Sequence, residues 1–136
     1  MLRMSTTRSG SDIPGHQPTL SIVVSASQHF TDTAPSGTAP NDYAVYSSKS
    51  FNYNLKTGQP ITFDTLFKPD TPLQAIFSIV QQHKLEPGDV IPEEVGLDPS
   101  NYQNFSLDNN GLRFYSQSFK RGSVEVPLSA IIHLLA

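Results

Sequence analysis

The sequence predicts an α+β domain in which an antiparallel sheet with hairpins packs against one main helix and a short carboxy-terminal helix. Three observations point there. Leu20, Ile22, Val24 and Ala26 alternate with Ser21, Val23, Ser25 and Ser27, the period of two that puts one strand face on a core. Leu73, Ile76, Phe77 and Val80 fall at i, i+3, i+4 and i+7, a single apolar helical stripe. Glycine-bearing turns then separate short apolar runs, at Gly58 and again at Asn110-Gly111.

The elements follow in order. Ser, Thr, Gly and Pro dominate up to Pro18, too little apolar area to offset ordering entropy, so residues 1 to 17 read as a disordered lead and 18 to 136 as one domain. The Leu20 strand opens that domain, and TDTAPSGTAPND is a loop by its Pro, Gly and Asp content. Tyr43, Val45, Phe51, Tyr53 and Leu55 share a parity with Ser47 and Lys49, which predicts a long strand bulged or exposed in its middle. Asp64 is placed to cap one helical turn that tucks Leu66 and Phe67 inward. Thr71-Pro72-Leu73-Gln74 reads as a capping box, and the helix behind it should end near Lys84, ahead of Pro87-Gly88. Phe105 and Leu107 lead into Asp108-Asn109-Asn110-Gly111, and Leu112 and Phe114 lead out. That is a tight hairpin with Asn110 and Gly111 at positive φ. Val124-Glu125-Val126 forms the last strand, and Leu128, Ile131, Ile132 and Leu135 give a short helix that must dock to be stable.

Composition excludes several functions. Nine basic and twelve acidic residues among 136 leave a net charge of −3, with no Lys/Arg cluster of the kind that phosphate neutralisation needs, so nucleic acid is not an expected partner. There are no cysteines, hence no disulfide, thiolate metal site or cysteine nucleophile. Arg3 and Arg8 precede no apolar run of signal-peptide length, and nothing reaches the roughly eighteen apolar residues of a membrane span.

Lys56-Thr57-Gly58 matches the triplet that closes the active site of penicillin-recognising serine enzymes. Those enzymes also need a Ser-x-x-Lys nucleophile upstream, and none occurs. Tyr102-Gln103-Asn104 imitates their Tyr-x-Asn element, but it follows the triplet instead of preceding it. The triplet therefore reads as a hairpin loop between Leu55 and a short strand Ile61-Thr62-Phe63, with Gly58 supplying a positive φ. Between 86 and 98, Glu86, Asp89, Glu93, Glu94 and Asp98 stand without a basic residue among them. They match no calcium-loop spacing, so the reading is a solvated acidic loop able to attract a cationic partner. No cofactor or metal is implied, since no two of the four histidines have ligand spacing.

Four runs carry a resemblance: Phe51-Asn52-Tyr53-Asn54, the stretch from Thr57 to Phe67, the stretch from Gly96 to Phe105, and Val126 to Ile131. In this order they are similar to the conserved domain of secreted mycobacterial immunogenic protein antigens, a domain shared with RsiV-type anti-sigma factors. The resemblance covers residues 18 to 136. It implies a β-grasp-like α+β domain of unknown biochemical role, extracellular or in the cell envelope, and RsiV relatives bind lysozyme. Gly37-Thr38-Ala39-Pro40 stands where family members often show Gly-x-His-Pro. Relatives also carry an additional amino-terminal half, so the chain is expected to be truncated on that side and to self-associate through an exposed sheet edge. Some secreted relatives are described as esterases, but the Gly-x-Ser-x-Gly elbow is missing. His83 at a helix end and His133 beside an apolar stripe read as surface or capping residues, as do His16 and His29. The functional expectation is a non-enzymatic, antigen-like protein-interaction module with no catalytic residue, a lysozyme-type or host protein as possible cationic partner, and an esterase as the alternative.

Overall fold

The computed structural model describes residues 2–32, 41–83, 90–119 and 122–136. It is α+β, but the sheet expected to be single is two three-stranded antiparallel sheets. The first runs β1 (Leu2–Ser11), β2 (Thr19–Asp32), β3 (Asn41–Asn54), and the helices α1 (Phe63–Leu66), α2 (Leu73–Gln82) and α3 (Glu93–Gly96) follow. A 3-10 turn at Pro99–Tyr102 leads into the second sheet, β4 (Phe105–Leu107), β5 (Gly111–Tyr115) and β6 (Ser123–Pro127), and α4 (Leu128–Ile131) closes the chain with a further 3-10 turn over Ile132–Leu134.

The disordered lead is corrected over Leu2–Ser11, which pairs with β2 from Leu2↔Gln28 to Ser11↔Thr19. Residues 2 to 8 are exposed, so this strand gains order from its ladder of backbone hydrogen bonds, with little apolar burial. Of the two forms expected for the middle of the long strand, the exposed one is found, with Ser47 and Lys49 exposed and no bulge. β3 pairs with β2 in unbroken register from Thr19↔Asn54 to Asp32↔Asn41.

The inner face of that sheet is the opposite of the one the alternation suggests. Thr19, Ser21 and Val23 are buried, whereas Leu20, Ile22, Val24 and Ala26 are only half-buried. On β3 the buried residue is Asn52, while Val45 and Phe51 are exposed. The reason is a polar seam. The Ser21 hydroxyl donates to Asn52 Oδ1 at 2.5 Å and accepts from the Leu107 N–H at 3.0 Å. Asn52 Nδ2 donates to the Phe105 carbonyl at 2.9 Å, and the Ser50 hydroxyl accepts from the Phe105 N–H at 2.8 Å. The free backbone groups of β4 are thus satisfied by side chains of the first sheet, which an apolar face could not do.

The hydrophobic core among the described residues runs from Ile61 onward and takes nothing from the first sheet. Ile76, Phe77 and Val80 of α2 face β6, with Leu73 packed at the margin, as the stripe requires. Phe105, Leu107, Leu112, Phe114, Val124 and Val126 supply the sheet side, and Tyr102 sits between the Phe63 and Phe114 rings. The strands at Leu20 and Tyr43, expected to pack on the α2 stripe, do not contribute to it.

Local corrections follow from hydrogen bonding. The Thr71 capping box does not form, because the Thr71 hydroxyl donates to the Lys68 carbonyl at 2.7 Å and Pro72 is the N-cap. α2 ends at Gln82 with His83 as C-cap, and residue 84, where the end was expected, lies outside the described residues. Thr62 starts α1 where Asp64 was expected to, its N–H bonding Thr65 Oγ1 at 2.9 Å. Leu66 and Phe67 are buried as expected. The short strand at Ile61 reduces to one bridge, Tyr53↔Pro60. The last helix is one α-turn plus one 3-10 turn, docked by Ile131 and by pairing of Phe67 with Leu135.

Candidate functional site

The lysine-threonine-glycine triplet lies in a turn. Asn54 Oδ1 accepts from the Lys56 N–H at 2.8 Å and the Thr57 N–H at 3.2 Å, and the Gly58 N–H returns to the Asn54 carbonyl at 2.7 Å. Gly58 has φ +74°, with open space where a Cβ would stand. A side chain there meets only backbone strain, so Gly58→Val should cost about 1–2 kcal/mol in chemical denaturation while Lys56→Ala changes stability little. A loss of hydrolytic activity in a folded Lys56→Ala protein would refute the turn reading. The Tyr-x-Asn imitation is also structural, since the fully buried Tyr102 gives its hydroxyl to the Gly96 carbonyl at 2.6 Å.

At the Asn110-Gly111 hairpin the conformational expectation is corrected. Neither residue has a positive φ. Asp108 Oδ1 accepts from the N–H groups of Asn110 (2.7 Å) and Gly111 (3.0 Å), the side-chain bracing of a turn with Asp at its first and Gly at its fourth position. Glycine is required at 111 for another reason: a Cβ there would overlap the Val126 carbonyl.

Of the five acidic residues singled out by sequence, Glu86 and Asp89 lie outside the described residues. Glu93 and Glu94 are exposed in the first turn of α3, where the helix dipole favours negative charge, and Asp98 is exposed just beyond it. Core contacts fix this ridge. Gly96 lies so close to the Phe77 ring that a Cβ would overlap it, the Gly96 carbonyl takes the Tyr102 hydroxyl, and Asn101 Nδ2 donates to the Val95 carbonyl at 2.9 Å. Among the described residues the ion pair is Arg113–Glu125 at 2.6 Å, elsewhere on the surface, so the described carboxylates of the ridge carry no cationic partner.

Burial pushes the Tyr102 phenol from 10.0 up to about 12. A phenol that resists ionisation when folded favours the native state below pH 10 and loses that advantage as pH rises from 10 to 12. Stability measured against pH should therefore fall through this alkaline window, and Tyr102→Phe should remove that part of the slope. An unchanged slope in the variant would assign the effect elsewhere.

Beside the ridge a half-open cleft of about 550 Å³ has Tyr46, Ser48, Ser100, Asn104, Tyr115 and Ser116 among its lining residues. The Ser100 hydroxyl donates to Asp98 Oδ1 at 2.8 Å, so ridge and cleft meet at that pair. The Ser116 hydroxyl donates to Asn101 Oδ1 at 2.7 Å, and Ser48 shares a hydrogen bond with Ser25 at 3.2 Å. The described lining is neutral: hydroxyls, amides and two phenol rings, groups that hold a polar chain by hydrogen bonds and ring contact. Sequence reading missed these residues because β3 and the segment after α3 meet only in three dimensions. Their one local signal was Tyr46 and Ser48, which share the parity of the polar face of β3.

The histidines stand apart from one another in the chain's architecture. His16 is half-buried in the β1–β2 connection, with Nδ1 lacking a hydrogen-bond partner, while His29 lies on β2, His83 caps α2 and His133 is exposed in the last 3-10 turn. Among the described residues no three His, Cys, Asp or Glu side chains are grouped to hold a metal. No described helix is long and apolar enough to cross a membrane.

No family model matches the chain. Esterase Rv3036c of Mycobacterium tuberculosis is 45% identical over 97 residues, covering 61% of this chain and 41% of that protein. Immunogenic proteins MPT64 of Mycobacterium tuberculosis and MPB64 of Mycobacterium bovis are each 38% identical over 99 residues, covering 65% of this chain and 43% of theirs. The chain thus spans about two-fifths of the length of the relatives it matches. Over this shared stretch it is a homologue of the mycobacterial immunogenic proteins and of the protein named as an esterase.

Proposed function

We propose that the protein is a non-enzymatic interaction module of the cell envelope or extracellular space that holds a cationic protein on the Glu93, Glu94 and Asp98 ridge. The observation that carries this reading is the ridge itself: three exposed carboxylates on a turn tied to the core through Gly96, Asn101 and Tyr102, with no described cation paired to them. A pre-ordered, one-sign surface favours a complementary partner because little side-chain or loop freedom is lost on binding. The neutral cleft that begins at Ser100 would take the polar groups next to the partner's cations.

Lysozyme, strongly cationic, is the probe. Calorimetric titration should show binding that weakens as salt rises from 50 to 500 mM, and Glu93→Gln/Glu94→Gln should weaken it by about fivefold, the scale of two exposed charge contacts. Binding that ignores both salt and the double substitution would move the interface elsewhere. An esterase is the second reading, favoured by 45% identity to a protein of that name. A fluorophosphonate probe that labels one serine stoichiometrically, with turnover of a p-nitrophenyl ester, would establish it and displace the binding reading.

A further inference from the structure

The outer face of the first sheet has no cover among the described residues. Its rows follow from the strand register: Leu2, Gln28 and Val45; Met4, Ala26 and Ser47; Thr6, Val24 and Lys49; Arg8, Ile22 and Phe51; Gly10, Leu20 and Tyr53. Leu2 is 58% exposed, Met4 67%, Val45 46% and Phe51 40%. With the half-buried Leu20, Ile22 and Val24 they make an apolar stripe along β2 flanked by polar and basic residues, whereas the inner face of the same strands is mainly Ser, Thr and Asn around Val23. Soluble proteins rarely leave a patch of more than a few hundred Å² uncovered without a partner for it, and a sheet with one apolar face buries that face against another layer.

The charges on this face select the partner. Arg8 on β1 and Lys49 on β3 stand on opposite sides of Ile22 and Val24, and the five rows from Leu2 to Tyr53 carry no acidic residue, Asp32 of β2 falling on the same face two rows beyond Gln28. We infer that the outer face of the β1–β2–β3 sheet docks an amphipathic helix of a partner protein whose apolar stripe lies along Leu20, Ile22 and Val24 and whose flanking acidic residues meet Arg8 and Lys49. A second copy placed face to face would instead bring two Arg8 and two Lys49 side chains into one interface with no anion between them, which costs affinity. An anionic membrane would gain from only two cations, each worth about 1 kcal/mol near such a surface. This surface is separate from the acidic ridge and independent of its assignment.

The test uses an eighteen-residue helical peptide with a leucine stripe flanked by glutamates, and a second peptide with lysines in place of the glutamates, each followed by fluorescence anisotropy. The glutamate peptide should bind at least tenfold more tightly than the lysine peptide, and Arg8→Glu/Lys49→Glu should reverse the order. Phe51→Ser should weaken both. Because Arg8 and Lys49 are exposed, the charge variant keeps its fold, which circular dichroism would verify. Equal affinity for the two peptides would overturn the inference. So would concentration-dependent dimers in sedimentation that block the peptide, or partition onto phosphatidylserine vesicles that exceeds glutamate-peptide binding.

Discussion

Gly111→Ala should destabilise the protein by about 3 kcal/mol, at the upper end of what overpacking costs, although alanine is the smallest possible addition. The new methyl group would lie against the carbonyl oxygen and carbon of Val126 and the Cα of Pro127, all main-chain atoms of β6. A flexible side chain could turn away from such a clash. Backbone cannot, because Leu112 and Val126, paired in the next row of the ladder, are fully buried and hold the strands at fixed spacing. The contrast with Gly58 separates two roles of glycine, since Gly58 has positive φ and open space while Gly111 has ordinary φ and none. Gly111→Asn is therefore informative. Asparagine is well tolerated in left-handed turns, so a positive-φ hairpin would accept it, whereas close approach to Val126 would reject it as firmly as alanine. Urea denaturation of the two variants measures the difference, and a near-neutral Gly111→Asn would overturn the close-approach explanation.

Asn52→Leu should cost about 2–3 kcal/mol, since buried polar groups lose partners and gain none. Asn52 is 5% exposed, and it is both the acceptor for Ser21 and the donor to the Phe105 carbonyl. Leucine is close in size, so lost packing is not the cause. Ser21→Ala should also destabilise, through the Leu107 N–H that it would strand. Because the two residues share one network, their effects should fall short of additive in a double-mutant cycle, by more than the scatter seen for independent sites. Fully additive losses would mean that the seam is not a network. The damage should also be local, with amide exchange accelerating in β2 and β3 before it does in β5.

Those two positions mark how much could be read from sequence. The hairpin from Phe105 to Phe114, the α2 stripe at Ile76, Phe77 and Val80, and the last strand at Val124 were legible, because each is set by neighbours within about ten residues and a regular apolar period. The inward face of β2 was not. Alternation says that two faces differ, but which one lies inside depends on what covers it, and here the cover is the unpaired backbone of β4, some 86 residues from Ser21. A hydroxyl and an amide meet that backbone better than leucine and isoleucine would. β1 was missed for a related reason, since a strand ordered by pairing carries no apolar signal. At the candidate site, Glu93, Glu94 and Asp98 were visible as a charge run, but the cleft beside them needs β3, and no short window of sequence contains both.

The polar seam also sets how the molecule should respond to temperature. Separation of the first sheet from β4 exposes mainly hydroxyl, amide and peptide groups, whose hydration lowers heat capacity, while disruption of the core beyond Ile61 exposes hydrocarbon, which raises it. The two halves therefore have stability curves of different curvature. Cooling weakens hydrocarbon burial, but it has no such effect on the seam. In a calorimeter, the sheet of β1, β2 and β3 would come away with a small heat-capacity step and the remainder with a large one, so a single molecule would show two thermal signatures joined at Ser21 and Asn52.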